Sequence, residues 1–431
     1  MKYFSLNKQS PIVNFKEATI LGQAPDKGLY FPERIPIHAP EFIEQLKNLS
    51  KEDIAFRVME PFVGDEIPDD ELYRIVCETV NFSFPLKWIH STIASLELYH
   101  GPTFAFKDVG ARFMSRCLSY FYKNQSNKIT ILVATSGDTG GAVANGFLGV
   151  KGIEVVILYP SGKVSPVQEL QLTTCGENIT ALEVDGSFDD CQAMVKMAFA
   201  DKDINDRMQL CSANSINVAR WLSQQIYYFL AYQQWEGQTA PVISVPSGNF
   251  GNLCAAIMAY KTGLPVKHFI AACNVNDAVP AYLQTGMFSS KPTTATISNA
   301  MDVGNPSNFV RILEIMNQDY SSFSSLVSGY TISDETTIQT IREVYQQNNY
   351  LLDPHGAVAY AALHQYQQIH TDTKGYIVET ADPVKFPDAI KTAIGSEPLI
   401  PLAAMELFTK EKRSIPLKNE YASFKDYLLS R

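Results

Sequence analysis

The sequence predicts an α/β fold with an accessory region in front of it, and three observations carry that reading. From about Leu96 onward, short apolar runs rich in β-branched residues recur, each run gives way to a polar, Gly-rich loop, and helical periodicity follows the loop. That alternation is the signature of βα units on a parallel sheet, whose strands are buried on both faces. The stretch before it, Met1 to about Ile89, has a different texture: Pro-punctuated and charge-mixed, with a turn-like Ala24-Pro25-Asp26-Lys27-Gly28 and an acidic Asp65-Glu66-Ile67-Pro68-Asp69-Asp70.

Taken in chain order, the predicted strands are Ile129 to Ala134, Glu154 to Tyr159, Ile179 to Val184, Val242 to Val245, Phe269 to Cys273 and Tyr376 to Glu379. Val109, Phe113, Cys117 and Phe121 recur every four residues, as do Val218, Leu222, Ile226 and Leu230, so each set predicts an amphipathic helix. Further helices are expected around Ala142 to Phe147 and from about Leu253. The chain divides into an N-terminal accessory domain over 1–92, a first catalytic part over 93–238 and a second over 239–431.

Composition narrows the partners. At 431 residues with 46% hydrophobic and 19% charged side chains, the chain can bury a substantial core without staples. Its 45 acidic and 35 basic side chains give a formal charge of −10, and no Lys/Arg cluster runs along it, which argues against a nucleic-acid partner. An anionic small molecule must therefore be held by local donors and helix ends. The start lacks the apolar stretch of a signal peptide and no run approaches bilayer length, so a cytoplasmic location without membrane contact is expected. Seven cysteines without CxxC spacing are read as reduced, mostly core residues, and His90, His268, His364 and His370 lack metal-ligand spacing, so no metal is expected.

Three segments carry chemistry. In His100-Gly101-Pro102-Thr103-Phe104-Ala105-Phe106-Lys107-Asp108, a lysine sits among aromatic and small residues at the mouth of a helix. Burial disfavours the ammonium form, so such a lysine is nucleophilic enough to condense with an aldehyde. A surface lysine paired with Asp108 fits the same segment, and Lys107 alone leaves both readings open. Ser247-Gly248-Asn249-Phe250-Gly251-Asn252 follows a strand and opens a helix, so backbone N–H groups can converge on an anion at the helix start. It has neither the lysine and hydroxyl of a nucleotide P-loop nor a GxGxxG pattern, and a bare strand-to-helix turn is its plain alternative. Thr135-Ser136-Gly137-Asp138-Thr139-Gly140-Gly141 again places hydroxyls and amides at a helix start, where Ser136 or Asp138 serves equally well as an ordinary N-cap.

The order HGPTxxFKD, TSGDTGGA, SGNFGN resembles the threonine synthases, members of the pyridoxal-phosphate fold type II group that includes tryptophan synthase β chains and serine/threonine dehydratases. The resemblance extends to Pro25-Asp26-Lys27-Gly28-Leu29-Tyr30, to Asp353-Pro354-His355-Gly356-Ala357 and to Thr380-Ala381-Asp382-Pro383-Val384-Lys385-Phe386. It implies fold type II, with two open, twisted, mostly parallel sheets flanked by helices and an N-terminal α+β domain. It implies a carbon–oxygen lyase that converts O-phospho-L-homoserine and water to L-threonine and phosphate, working as a monomer or homodimer.

By the same resemblance, Lys107 forms the Schiff base with pyridoxal 5'-phosphate and shuttles protons. Gly248, Asn249, Phe250, Gly251 and Asn252 surround the cofactor phosphate, and Thr380 faces the ring nitrogen. Substrate binding falls to Thr135, Ser136, Asp138, Thr139, Asn214, Ser215 and Arg220, with Lys385 a weaker candidate; a salt bridge on an ordinary helix face competes for Arg220. Asp382 stands where many relatives have histidine, and Asp138 stands where much of the wider group has asparagine, which favours a threonine synthase over a dehydratase. The rivals are a threonine or serine dehydratase, or another β-replacing enzyme of the group, and a non-catalytic phosphate-ligand binding protein on the same fold.

Overall fold

The computed structural model describes residues 1–123, 125 and 128–431. Two large sheets dominate. The first, all parallel, has the strand order Ile415–Lys418, Ile179–Asp185, Ile153–Pro160, Ile129–Ala134, Gln209–Ser212. The second runs Val327–Thr331, His268–Cys273, Val242–Pro246, Gly375–Glu379, Ile93–Glu97, Leu86–Trp88, parallel except for its last pair. A small antiparallel sheet of Val13–Asn14, Lys2–Ser5 and Tyr30–Pro32, with the helices Phe15–Leu21, Pro40–Gln45, Lys51–Val63 and Asp69–Thr79, forms the N-terminal α+β region. Two open, mostly parallel sheets flanked by helices, with an N-terminal α+β region, are the architecture the sequence predicts.

All six predicted strands form, within a residue of their expected ends. They read clearly because a central parallel strand is apolar on both faces: Ile129–Ala134 is buried throughout. Both sheets draw strands from distant parts of the chain. Ile93–Glu97 lies between Gly375–Glu379 and Leu86–Trp88, and Ile415–Lys418 extends the sheet begun by Ile129–Ala134.

Helices cover the sheets. Pro354–Ile369 packs across the strands Val242–Pro246, Gly375–Glu379 and His268–Cys273, and Phe188–Ala200 packs on Ile129–Ala134 and Ile153–Pro160. Lys107–Tyr122 forms as predicted and buries Val109, Phe113, Cys117 and Phe121 against Asp138–Phe147 and Val218–Leu222. The second periodic stretch departs from expectation: it is two helices, Val218–Leu222 and Gln225–Gln234, rather than one. At the break the Ser223 hydroxyl donates to the Ala219 carbonyl at 2.9 Å, and the N–H groups of Gln224, Ile226 and Tyr227 reach back only three residues. Nor is the second helix amphipathic, since Gln225 through Ala231 are all buried.

Candidate active site

Strand order fixes where the chemistry-bearing loops emerge. Thr135 follows Ile129–Ala134 and Ala213 follows Gln209–Ser212 in one sheet, while Ser247 follows Val242–Pro246 and Thr380 follows Gly375–Glu379 in the other. All four loops leave the carboxyl ends of parallel strands, where ligands of open α/β sheets bind. They converge on one cavity of about 1540 Å³, lined among others by Lys107, Thr135, Ser136, Thr139, Asn214, Ser215, Arg220, Gly248, Asn249, Phe250, Gly251, Asn252 and Thr380. Leu6, Asn7 and residues of the 21–29 stretch close its outer wall.

Lys107 opens its helix inside this cavity. Its side chain keeps some accessible surface because it faces the cavity, but the surrounding protein strips water from the amine. Burial lowers its proton affinity from the usual lysine range to about 8; the neighbouring Asp138 carboxylate opposes the shift, while Arg220 and Lys385 reinforce it. The approach to the lysine is fixed by backbone. Phe106 N–H donates to the Thr380 carbonyl at 2.8 Å and Asp382 N–H to the Phe104 carbonyl at 3.1 Å, a short antiparallel link centred on Ala105 and Ala381. The buried Tyr227 hydroxyl donates to the Phe106 carbonyl.

Asp108 is not the surface partner of Lys107. Its carboxylate turns inward, accepting the Thr103 N–H at 2.9 Å and the Thr103 hydroxyl. Burial raises its carboxyl to about 6, against those two bonds.

On the wall of the same cavity, Ser247–Asn252 forms a cup at the start of the helix Gly251–Lys261. Phe250 adopts φ +61°, uncommon for a residue with a side chain, and its buried ring packs edge-on against Phe309. Asn249 accepts from Ser307 N–H at 2.6 Å and donates to the Ser215 hydroxyl at 2.7 Å, and Asn252 donates to the Pro246 carbonyl at 2.7 Å. With the side chains thus engaged, the backbone N–H groups of Gly248 through Asn252 find no acceptor among the described residues. A Cβ on Gly248 would lie 2.6 Å from Met301 Cα, so only glycine lets the Asn299–Met301 turn close over the cup. Five free donors at a helix N-terminus, on the wall of the same cavity as a desolvated lysine, fit a phosphorylated aldehyde.

The 135–141 loop is capped from a position other than those expected. The Thr135 hydroxyl accepts the N–H groups of Gly137 at 3.0 Å and Gly140 at 2.9 Å, leaving Ser136 and Thr139 facing the cavity. Asp138 and Lys385 do not line the cavity. Lys385 Nζ lies 2.7 Å from Asp138 Oδ1 and 2.7 Å from the Thr103 carbonyl, and Gln168 donates to Asp138 at 2.9 Å. Lys385 is therefore already engaged with the protein's own groups and lies off the cavity wall, whereas the sequence reading weighs it for a substrate anion. Burial favours the neutral acid of Asp138, yet Lys385 and Lys107 hold that carboxyl well below its usual range.

Arg220 is buried rather than paired on a helix face. Its guanidinium donates to the Ala213 carbonyl and, at 3.5 Å, to the Lys107 carbonyl, while Nε has no partner among the described residues. Asn214 Oδ1 is likewise buried and has no partner among the described residues.

Sequence reasoning missed the residues that hold this frame. Arg311 is fully buried and donates to the carbonyls of Tyr30, Ser215 and Ile216, tying the N-terminal region to the 214–216 loop. His355 accepts the Ala300 N–H at 3.2 Å and lies 2.6 Å from Asp353, which steadies the turn over Gly248. Only the polar turn Asn305-Pro306-Ser307-Asn308 before Arg311 hinted at the first of these.

The fold and the cavity define a pyridoxal-phosphate dependent enzyme. Residues 93–378 match the family model described as pyridoxal-phosphate dependent enzyme, 2–80 the threonine synthase N terminus and 356–428 the threonine synthase C-terminal region. The chain is 41% identical to the threonine synthase of Escherichia coli (strain K12) over 433 residues, covering 100% of each. Its structure superposes on the crystal structure of threonine synthase from Escherichia coli with TM-score 0.93 at 40% identity, covering 100% of both chains. It also superposes on a PLP-bound threonine synthase from Brucella melitensis with TM-score 0.93 at 35% identity, covering 99% and 98%. The chain belongs to the threonine synthase family, and its cofactor is pyridoxal phosphate. The dehydratase and binding-protein readings fall away.

Proposed function

We propose that the protein is a carbon–oxygen lyase that acts on O-phospho-L-homoserine and water to give L-threonine and phosphate. The observation that carries this reading is the cavity shared by the desolvated Lys107 amine and the free N–H groups of Gly248 through Asn252. In it, Lys107 would hold the cofactor through its side-chain nitrogen, the cup would hold the cofactor phosphate, and Thr380 would meet the ring nitrogen. When bound, that group supplies an electron sink conjugated to the substrate's α-carbon.

The rest is the work of the chain. Lys107 Nζ, near neutral proton affinity, takes and returns protons at Cα, Cβ and Cγ of the substrate. Elimination takes one proton from Cβ, breaks the Cγ–O bond and releases phosphate; the hydroxyl of water then adds at Cβ, and Cγ gains one proton to become a methyl group. Thr135, Ser136 and Thr139 offer hydroxyls and a helix start to one substrate anion. Asn214 and Ser215, with Arg220 behind them, offer donors and positive charge to the other. Asp138 acts on the site through its charge rather than by direct contact. We place the enzyme in the cytoplasm, a location that cell fractionation checks.

Purified protein loaded with pyridoxal phosphate should release inorganic phosphate and threonine in equal amounts from O-phospho-L-homoserine. Deamination of threonine without phosphate release from phosphohomoserine would overturn the proposal.

A further inference from the structure

Lys385 and Asp138 form the one fully internal lysine–carboxylate pair among the described residues, with side-chain exposures of 0% and 5%. Such a pair is costly to desolvate, and hydrophobic replacements often serve stability as well. Its location points to another role. Lys385 Nζ joins three segments behind the cavity wall: its own turn Pro383–Lys385, the Thr103 carbonyl just before Lys107, and Asp138 at the start of its helix.

We propose that Lys385 is a positioning residue: it holds the Asp138 carboxylate beside Lys107 with its charge already matched, so that the reactive amine faces a carboxylate without being bound into an ion pair. The inference rests on the reading of Lys107 as the cofactor lysine. Charged groups enter from every element around it. Asp108 follows on the same helix, Arg220 comes from Val218–Leu222, Tyr227 from Gln225–Gln234, Asp138 from its own helix, and Lys385 and Asp382 from the 382–385 turn. Asp138 acts on Lys107 as an anion, and Arg220 and Lys385 act on it as cations. Removing Lys385 therefore leaves one unmatched negative charge beside the amine, and an opposite charge at close range stabilises an ammonium.

The test compares wild type with Lys385→Met, Asp138→Asn and the double variant, using two readouts on folded protein. In cofactor-free protein, the pH dependence of cyanate carbamylation at Lys107, followed by peptide mass spectrometry, reports the amine directly. In cofactor-loaded protein, the pH midpoint of the visible absorption band reports the same nitrogen. We expect Lys385→Met to raise the carbamylation midpoint by about one pH unit or more and Asp138→Asn to lower it. The double variant, neutral at both positions, should return close to wild type. Should Lys385→Met not fold, the contrast between Asp138→Asn and the double variant decides the matter alone. Midpoints that stay at the wild-type value in all variants, with only thermal stability changed, overturn the inference. Borohydride trapping of the cofactor in wild-type protein separates the two claims: a label on a residue other than Lys107 defeats the proposed function, whereas a label on Lys107 with unmoved midpoints defeats only this one.

Discussion

The main-chain N–H of Phe106 donates to the carbonyl of Thr380 at 2.8 Å, so the residue before the proposed cofactor lysine and the residue proposed to meet the cofactor ring are held in fixed register across 274 positions of sequence. Because this bond uses only backbone, the Thr380 hydroxyl can be removed without disturbing it. Thr380→Val should leave the fold and cofactor content intact while lowering kcat by about 10- to 100-fold, the range for losing one strong hydrogen bond at about 1.5–3 kcal/mol. Steady-state kinetics beside a cofactor titration checks this, and an unchanged kcat removes Thr380 from the proposed site.

Gly248 tests the cup. The Cβ of alanine would press on Met301 Cα and on the Ala300 carbonyl at 2.9 Å, and backbone cannot yield as a flexible side chain does. Gly248→Ala should cost about 1–3 kcal/mol and weaken cofactor binding by about tenfold or more. Equilibrium dialysis of pyridoxal phosphate, with thermal melting of the cofactor-free protein, measures both.

Asp108 links stability to pH. Its carboxyl is pushed up to about 6 in the folded chain, above its ordinary value of 3.8, so the folded state holds its proton more tightly than the unfolded one. The stability this contributes is full below the ordinary value and is lost as pH rises through about 6. Asp108→Asn should flatten that part of the stability profile, while Asp108→Ala, which strands the Thr103 N–H, should cost about 1–3 kcal/mol at any pH. Urea denaturation at a series of pH values distinguishes them.

Lys107 gives the most direct prediction. With its amine lowered to about 8, the cofactor-free protein should take up pyridoxal phosphate faster as pH rises through that value, well before an ordinary lysine would respond. Lys107→Ala should abolish covalent attachment and lower turnover by about 10² to 10⁴, the usual contribution of a positioned proton-transfer group.

How far the sequence could be read depended on distance along the chain. Strands buried on both faces, such as Ile153–Pro160, declared themselves by composition, as did the helix that carries Lys107. Ile93–Glu97 did not, because Ser95 and Glu97 break its apolar run; Glu97 is tolerated inside because Lys87 at 2.9 Å, His100 at 2.7 Å and Tyr350 at 2.9 Å surround it. Positions set by a local turn, namely Lys107 and Gly248 through Asn252 at their helix starts, were legible from their own segments. Those set by long-range pairing were not: Asp138 looked like a ligand or a cap until Lys385 appeared beside it, and Arg311 shows its use only when Tyr30 and Ser215 are brought to it.

The position of Ile93–Glu97 between Leu86–Trp88 and Gly375–Glu379 also bears on biosynthesis. A nascent chain carries its lysine out of the ribosome early, but that strand waits for its second neighbour until residue 379 has been made. Such non-local closure slows folding and exposes unpaired edges meanwhile. Truncation before the Gly375–Glu379 strand should therefore leave a chaperone-dependent, aggregating polypeptide rather than a smaller enzyme, however complete its earlier motifs.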